Sequence, residues 1–427
     1  MSIEALRVRI VTLDSEIELQ KKLLKKLEKD RSLTQRQLNA ALDPVARLPL
    51  EVSSEIFLQS LPASPGGKKD VPIVLLGICN AWTDIALATP RLWTTVRVRF
   101  PCGDDFAEVL PVWFQRAGNH PLSVSISLHG RCVNWKYRVS DILWSHGRQL
   151  KHLEILDDDD FAWQSHMQDD ALDLFRDATL ASPSLLETLT IRCQYQQRRY
   201  FPSQILELLR SAPNIVEIIF HNVMTCLSND TDTRILVVPT LRRLMFGETT
   251  NTDDYLLRNL SLPALEILSL PMNSLSGEGL LRFMERSTPP LRDLTLGWEV
   301  DPGHLGSVEL HDCLRLSPGL TRFRMWQPDS DAVAELLTAL ADTPSLLPNL
   351  LDLSIHIFDD PDWEPSNFSE ASWRTLVRAL STRRMERLYI VPVKTSPPID
   401  VLVSLRDLVV AGANMHIGTE ELNFVVA

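Results

Sequence analysis

The stretch Leu265-Glu266-Ile267-Leu268-Ser269-Leu270-Pro271-Met272-Asn273-Ser274-Leu275 spells Leu-x-x-Leu-x-Leu-x-x-Asn-x-Leu. Its first half recurs, with conservative swaps, along the chain beyond residue 100. Four copies precede it, at Leu150/Leu153/Ile155, Leu186/Leu189/Ile191, Ile215/Ile218/Phe220 and Leu241/Leu244/Phe246. Five follow, at Leu291/Leu294/Leu296, Leu320/Phe323/Met325, Leu350/Leu353/Ile355, Met385/Leu388/Ile390 and Leu405/Leu408/Val410. Successive starts are 36, 29, 26, 24, 26, 29, 30, 35 and 20 residues apart. Periods of roughly 20–50 residues signal stacked structural units, each too small to bury its apolar face alone. Seven copies carry proline one to three residues ahead, at Pro183, Pro213, Pro239, Pro263, Pro289 with Pro290, Pro318 and Pro348. A proline there ends a preceding helix just before a strand begins. Amphipathic, cap-flanked stretches at 204–210, 280–286, 331–341 and 370–380 read as helices between the strands.

The 265–275 phrase matches the leucine-rich-repeat consensus, with Asn273 at the ladder position. The resemblance implies an α/β fold over residues 97–427: an irregular leucine-rich-repeat solenoid with parallel strands on its concave wall and helices on its convex one. Residues 121–128 alternate at period two and read as a first strand, and 401–427 as the cap at the far end. The wall-facing positions between the leucines include Arg242, Arg243, Arg322, Arg324, Trp326, His221 and Tyr389, a mixed basic and aromatic lining that reads either as attracting an acidic protein partner or as an ordinary solvated surface. The run Asp157-Asp158-Asp159-Asp160, with Phe161 and Trp163 after it, reads first as a solvated loop. A docking site for a basic substrate or a weak cation site is the other reading.

At the front of the chain the pattern changes. Ile3, Leu6, Ile10, Leu13, Ile17, Gln20, Leu24, Leu27, Arg31, Thr34, Leu38 and Ala41 alternate by three and four residues, and no proline or glycine interrupts before Pro44. This a/d pattern reads as a heptad coiled-coil helix over 1–42. Two uses stay open: the helix lies along the chain's own next domain, or residues 3–41 make a homodimer or take a partner helix; a basic membrane-surface or targeting helix fits the mixed charges and regular seam poorly.

Residues 43–96 carry a third text. Leu48-Pro49-Leu50-Glu51-Val52 leads to Ile56-Phe57 and Leu61, and a Pro/Gly/Lys loop spans 62–72. Ile78-Cys79-Asn80-Ala81-Trp82 then leads through Ile85-Ala86 to Pro90-Arg91-Leu92-Trp93. Pro49 suits the start of a helix, and Val52, Ile56 and Leu61 form a stripe at helical spacing. These landmarks resemble the F-box. The charged heptad helix before them and the repeats after them are similar to the expanded F-box family of mushroom-forming fungi. Where the F-box pattern often places basic residues, this chain has Asn80, Ala81 and Thr83. The resemblance implies a small three-helix domain that binds the adaptor Skp1 and, through it, a cullin complex. It implies Leu48, Pro49, Val52, Ile56, Phe57, Leu61, Leu76 and Trp82 as the Skp1-facing residues, with Ile85, Leu92 and Trp93 as internal core.

The chain has 427 residues and a net charge of −12. Segment 1–42 holds 9 basic and 6 acidic residues, 43–96 holds 4 and 5, and 97–427 holds 30 and 44. An acidic repeat region excludes a nucleic-acid grip, which needs a basic face. No apolar run approaches the roughly 20 residues that span a bilayer, and the N-terminus lacks a secretory pattern. The expected location is cytoplasmic, nuclear or both. Six dispersed cysteines, at 79, 102, 132, 193, 226 and 313, fit neither a disulfide framework nor a zinc site, and the Asn229, Asn259 and Asn367 sequons carry little weight without a secretory route. No phosphate loop, H-E-x-x-H or G-x-S-x-G motif occurs, so no catalytic, cofactor-binding or metal residue is assigned. The expected role is the substrate-recognition subunit of a Skp1–cullin–F-box ubiquitin ligase, acting in ubiquitin-dependent degradation. The alternative is a non-catalytic interaction scaffold without a ligase role.

Overall fold

The computed structural model describes residues 3–61, 71–103, 105–130, 132–157, 171–175, 178, 180–193, 199–225, 234–247, 252–270, 277–297, 307–328, 330–357 and 369–426. Asp158, Asp159, Asp160, Phe161, Trp163, Cys226, Asn229, Asn273, Leu275 and Asn367 lie outside them. The chain is mixed α/β and forms two compact units. The first takes residues 1–96 with 108–120, so the heptad helix and the segment after it fall in one unit. The second takes 97–107 with 121–427. No described helix is long and apolar enough to cross a membrane.

The first unit holds α1 (Ile3–Leu42), α2 (Leu50–Gln59), α3 (Val71–Leu76), α4 (Asn80–Leu87) and most of α5 (Phe106–Ala117). Helix α1 starts and stops where the heptads do, before Pro44. The thiol of Cys79 caps α4, accepting from the Trp82 amide at 3.5 Å. At the centre lies Trp93, fully buried, with its indole N–H on the Ala86 carbonyl at 2.9 Å. Trp113 of α5 meets it edge-on at 5.0 Å and donates to the Trp93 carbonyl, and the Arg116 guanidinium sits 4.4 Å from its ring.

The second unit is built on a sheet of twelve strands: β1 (Thr95–Phe100, entering this unit at Arg97), β2 (Leu122–Leu128), β3 (Leu150–Asp157) and β4 (Thr188–Cys193). They are followed by β5 (Glu217–His221), β6 (Arg243–Phe246), β7 (Ile267–Leu270) and β8 (Asp293–Gly297). The last four are β9 (Arg322–Trp326), β10 (Asp352–His356), β11 (Arg387–Val391) and β12 (Asn414–Ile417). Spatial order follows chain order, and every pair from β2 to β12 is parallel. A backbone relay fixes the register just ahead of the strands. The amides of Glu187, Val216, Arg242, Glu266, Arg292, Thr321, Leu351, Glu386 and Asn414 each donate to the preceding copy at 2.8–3.0 Å.

The repeated leucines, isoleucines and phenylalanines on one side of this sheet are sealed from water. Parallel strands need crossovers, and eight of the ten from β2 to β12 run through described helices, α6 (Tyr137–Ser145), α7 (Pro202–Ser211), α8 (Thr252–Asn259), α9 (Gly277–Ser287), α10 (Ser307–Arg315), α11 (Ser330–Asp342), α12 (Glu370–Ser381) and α13 (Ile399–Val410). The alternate strand positions on the opposite side are mostly polar and many are partly exposed, although Ser125, Ser127, Thr295 and Ser354 are buried and Ile219, Met245 and Ile267 are apolar. The crossover helices therefore pack on the leucine side.

Two expectations change here. The first strand is Thr95–Phe100, ahead of the segment read as first. The tenth copy, Leu405/Leu408/Val410, lies in helix α13 rather than a strand. Pro398 starts that helix, Val401 and Leu405 fill its buried side, and Gly412 at φ 108° follows its end. The strand comes later, with Met415 and Ile417 as its buried positions, and Met415 stands 27 residues after Leu388. That interval matches the other repeats, whereas the 20-residue interval to Leu405 did not. The tail then folds over the last strand: the Phe424 amide donates to the Ile417 carbonyl at 2.9 Å.

Candidate interaction surfaces

In the first unit the decisive feature is how α2 divides its residues. Pro49 at φ −54° leads straight into the helix. The 3.6-residue turn then sorts the side chains onto two faces. Ser53 and Phe57 turn inward, Ser53 donating its hydroxyl toward the Val45 and Pro49 carbonyls at 3.2 Å. Leu48, Val52 and Ile56 fall on another stripe and are 41–46% exposed, with Pro49 also exposed among them. Val52 and Ile56 thus share one helix face open to solvent, and Leu48 and Pro49 lie exposed just ahead of the helix.

Phe57 corrects the expectation. It is 1% exposed and packs its ring 4.9 Å from Trp82. One residue on from Ile56, it is rotated about 100° around the helix axis, which carries it into the core. It cannot face a partner without unpacking the unit. Trp82 is only partly exposed, because its indole N–H is held by the Asp43 carboxylate. Asp43 also accepts from the Val45 amide at 2.8 Å, and Asn39 donates to the Ile78 carbonyl at 3.1 Å, so the C-terminal end of α1 is tied to this helical cluster. Leu61 and Leu76 are partly exposed. Leu92 and Trp93 are internal, whereas Ile85 is only partly buried. Sequence reasoning passed over Leu50, Ile73, Val74 and Leu87, which are exposed as well. Their signal was that they lie off the landmarks that resemble the F-box yet match them in hydrophobicity.

In the second unit the polar side of the sheet is the candidate surface. One register row runs Glu217, Arg243, Ile267, Asp293, Arg322, Asp352, Arg387 and Asn414. Opposite charges alternate along it. Arg243 pairs with Glu217 at 3.2 Å. Arg322 bridges Asp293 at 2.9 Å and Asp352 at 3.3 Å, and Asp352 also meets Arg387 at 3.6 Å. Arg324 reaches Asp293 at 3.4 Å, and Arg242 reaches Glu266 at 2.8 Å. The two shared carboxylates hold the Arg322 guanidinium firmly in its charged form, Asp293 through its hydrogen bond foremost.

Beside this ladder runs a row of rings. Trp326 and His356 lie 4.6 Å apart, His356 and Tyr389 5.3 Å, and Tyr389 and His416 5.0 Å with planes only 26° apart. Burial on this shelf, helped by the nearby Arg324 charge, pushes the His356 imidazole below its ordinary value of 6.5. His152, toward the other end of the sheet, is lowered too, first by burial and then by Lys151. Of the positions expected to line the wall, Arg322, Arg324, Trp326 and Tyr389 come together in this region. Arg242 and Arg243 lie three strands away and His221 one strand further. Among the described residues no three His, Cys, Asp or Glu side chains could share a metal ion.

Compared with protein-family models and with curated proteins, the sequence matches none.

Proposed function

We propose that this chain is the substrate-recognition subunit of a Skp1–cullin–F-box ubiquitin ligase. The observation that carries the reading is the solvent-facing stripe of Leu48, Pro49, Val52 and Ile56. It coincides with the Leu-Pro-x-Glu-Val…Ile landmarks that resemble the F-box. Monomeric proteins rarely leave such a set of aliphatic side chains in water without a partner to cover it. Small interfaces gather their affinity at a few such anchors. The second unit supports the other half of the reading. Nine copies of the leucine phrase become adjacent parallel strands in chain order, as a leucine-rich-repeat solenoid would have them. Its polar face offers a charge ladder and a ring shelf to a target protein, while ubiquitin transfer belongs to the partner subunits.

The test is co-elution of the full chain with purified Skp1 on a sizing column. Ile56→Asp and Leu48→Asp place a charge on the stripe without touching the core, so both are expected to keep the wild-type melting profile. Each is expected to weaken the complex roughly 30-fold or more, the scale of a central anchor. Wild type that does not bind, or charged variants that bind like wild type, would reject the proposal.

A further inference from the structure

Helix α1 carries its apolar side chains into solvent. Ile3, Leu6, Ile10, Leu13, Ile17, Leu24, Leu27 and Leu38 are 45–73% exposed, and the anchoring bonds from Asn39 and Asp43 lie at the C-terminal end. Ile3, Ile10, Ile17 and Leu24 take heptad position a, and Leu6, Leu13, Gln20 and Leu27 take d. Isoleucine at a with leucine at d is the combination that favours two parallel strands. We propose that residues 3–28 pair with the same segment of a second copy of this chain, in a parallel, in-register, two-stranded coiled coil.

The flanking charges set the direction. In a parallel pair each g residue faces the e residue five positions on in the other helix. Arg9 then meets Asp14 and Glu16 meets Lys21, each contact occurring twice by symmetry. The remaining g–e pairs, Leu23 with Glu28, Asp30 with Gln35 and Gln37 with Leu42, set no like charges together. A fully overlapped antiparallel pair gives the opposite result. It sets Asp14 against Glu28, Lys21 against Lys21 and Glu16 against Asp30. It also places Leu13 opposite Arg31 and Leu24 opposite Gln20. Parallel pairing puts the two Gln20 amides face to face, a polar layer that pins the register. In the single chain Lys21 bonds Glu18 at 2.8 Å, but both ends of that pair are well exposed. Exposed pairs of this kind contribute little, so Lys21 is free to exchange it for Glu16 of the second copy. The seam weakens at Arg31 and Thr34, which is where α1 approaches its own unit.

The test uses the full chain in sedimentation equilibrium, with light scattering as a check. Wild type is expected at twice the 48.4 kDa monomer mass, falling toward the monomer on dilution. Ile17→Asp is expected to give monomer that keeps its fold, because the side chain is exposed in the single chain. Glu16→Lys is expected to weaken the dimer roughly tenfold, by turning two attractive contacts into two repulsive ones. Adding Lys21→Glu is expected to restore it. Tighter association of Glu16→Lys, as relief of the Glu16–Asp30 repulsion would produce, overturns the parallel arrangement. A wild type that stays monomeric, whether or not phosphatidylserine vesicles capture its lysine-rich face, overturns the dimer. So does an Ile17→Asp variant that remains dimeric.

Discussion

Replacing Arg383 by methionine removes a guanidinium that closes the end of helix α11. The last carbonyls of a helix have no partner within it, and Arg383 supplies one from the next repeat. Its Nη2 donates to the Leu340 carbonyl at 2.7 Å and to Thr343 at 3.0 Å, while Nη1 reaches Pro344 and Leu347 at 3.4 Å. Burial pulls its pKa below the ordinary arginine value, but the group stays charged. Hydrogen bonds from a charged donor contribute about 1.5 kcal/mol or more each, so the two short ones amount to about 3 kcal/mol. The bonds at 3.4 Å add little. Against this, Nε is buried with no partner among the described residues, a cost of about 1 kcal/mol. The net loss in Arg383→Met is therefore about 2 kcal/mol, since methionine keeps the apolar stem. A chain with two units need not unfold in one step, so the assay is native-state hydrogen exchange read on peptides covering residues 335–347. Their protection is expected to fall about 30-fold, and Arg383→Lys is expected to fall between the two, because a lysine cannot fork. A change under about threefold in the methionine variant would refute the capping role.

Phe57→Ala should destabilise the first unit by about 3–4 kcal/mol, because it leaves a cavity against Trp82 that neighbouring helices fill poorly; thermal melting followed by tryptophan fluorescence would show it, and a loss below about 1 kcal/mol would return Phe57 to the surface. His356 should titrate below 6.5 in the folded chain by NMR. The folded state then binds fewer protons than the unfolded one between the lowered value and 6.5, so this contribution to stability is complete above pH 6.5 and is lost as pH falls through the lowered value. A midpoint at or above 6.5 would contradict the burial argument.

The strands of the second unit were legible because seven of the nine leucine phrases that form strands combine two signals, alternation and a proline ahead of it. Leu405 shows where that fails. A Leu-x-x-Leu spacing suits a helix as well as a repeat, and only the short interval to the preceding copy hinted at the error. Helix α5 stayed hidden because Pro111 in its middle reads as a breaker. Strand β1 was missed because Thr-Val-Arg-Val-Arg-Phe follows directly on the landmarks that resemble the F-box. In the first unit the motif marked an exposed aliphatic stripe, but a motif is linear and a helix is not. Phe57 and Ile56 are neighbours in sequence with opposite fates. The arginine caps, Arg383 on α11 and Arg286 on the Leu257 and Leu260 carbonyls, join residues about 26–43 apart. Local periodicity carries no trace of them. The charge ladder was half visible: its arginines stood out in the sequence, but their carboxylates became partners only once the strands were set in register.

That ladder has a consequence for how a target could be chosen. Asp293 and Asp352 are each shared between arginines and are only 14–15% exposed, so the positive charges most visible in the sequence are already answered from within. An incoming carboxylate that seeks Arg322 must displace one that is in place and largely stripped of water. The face therefore offers little reward for net charge. If it takes a target as proposed, it would discriminate by whether that ligand can lie flat along Trp326, His356 and Tyr389 while leaving the ionic row intact. Binding on this face should accordingly be nearly indifferent to salt.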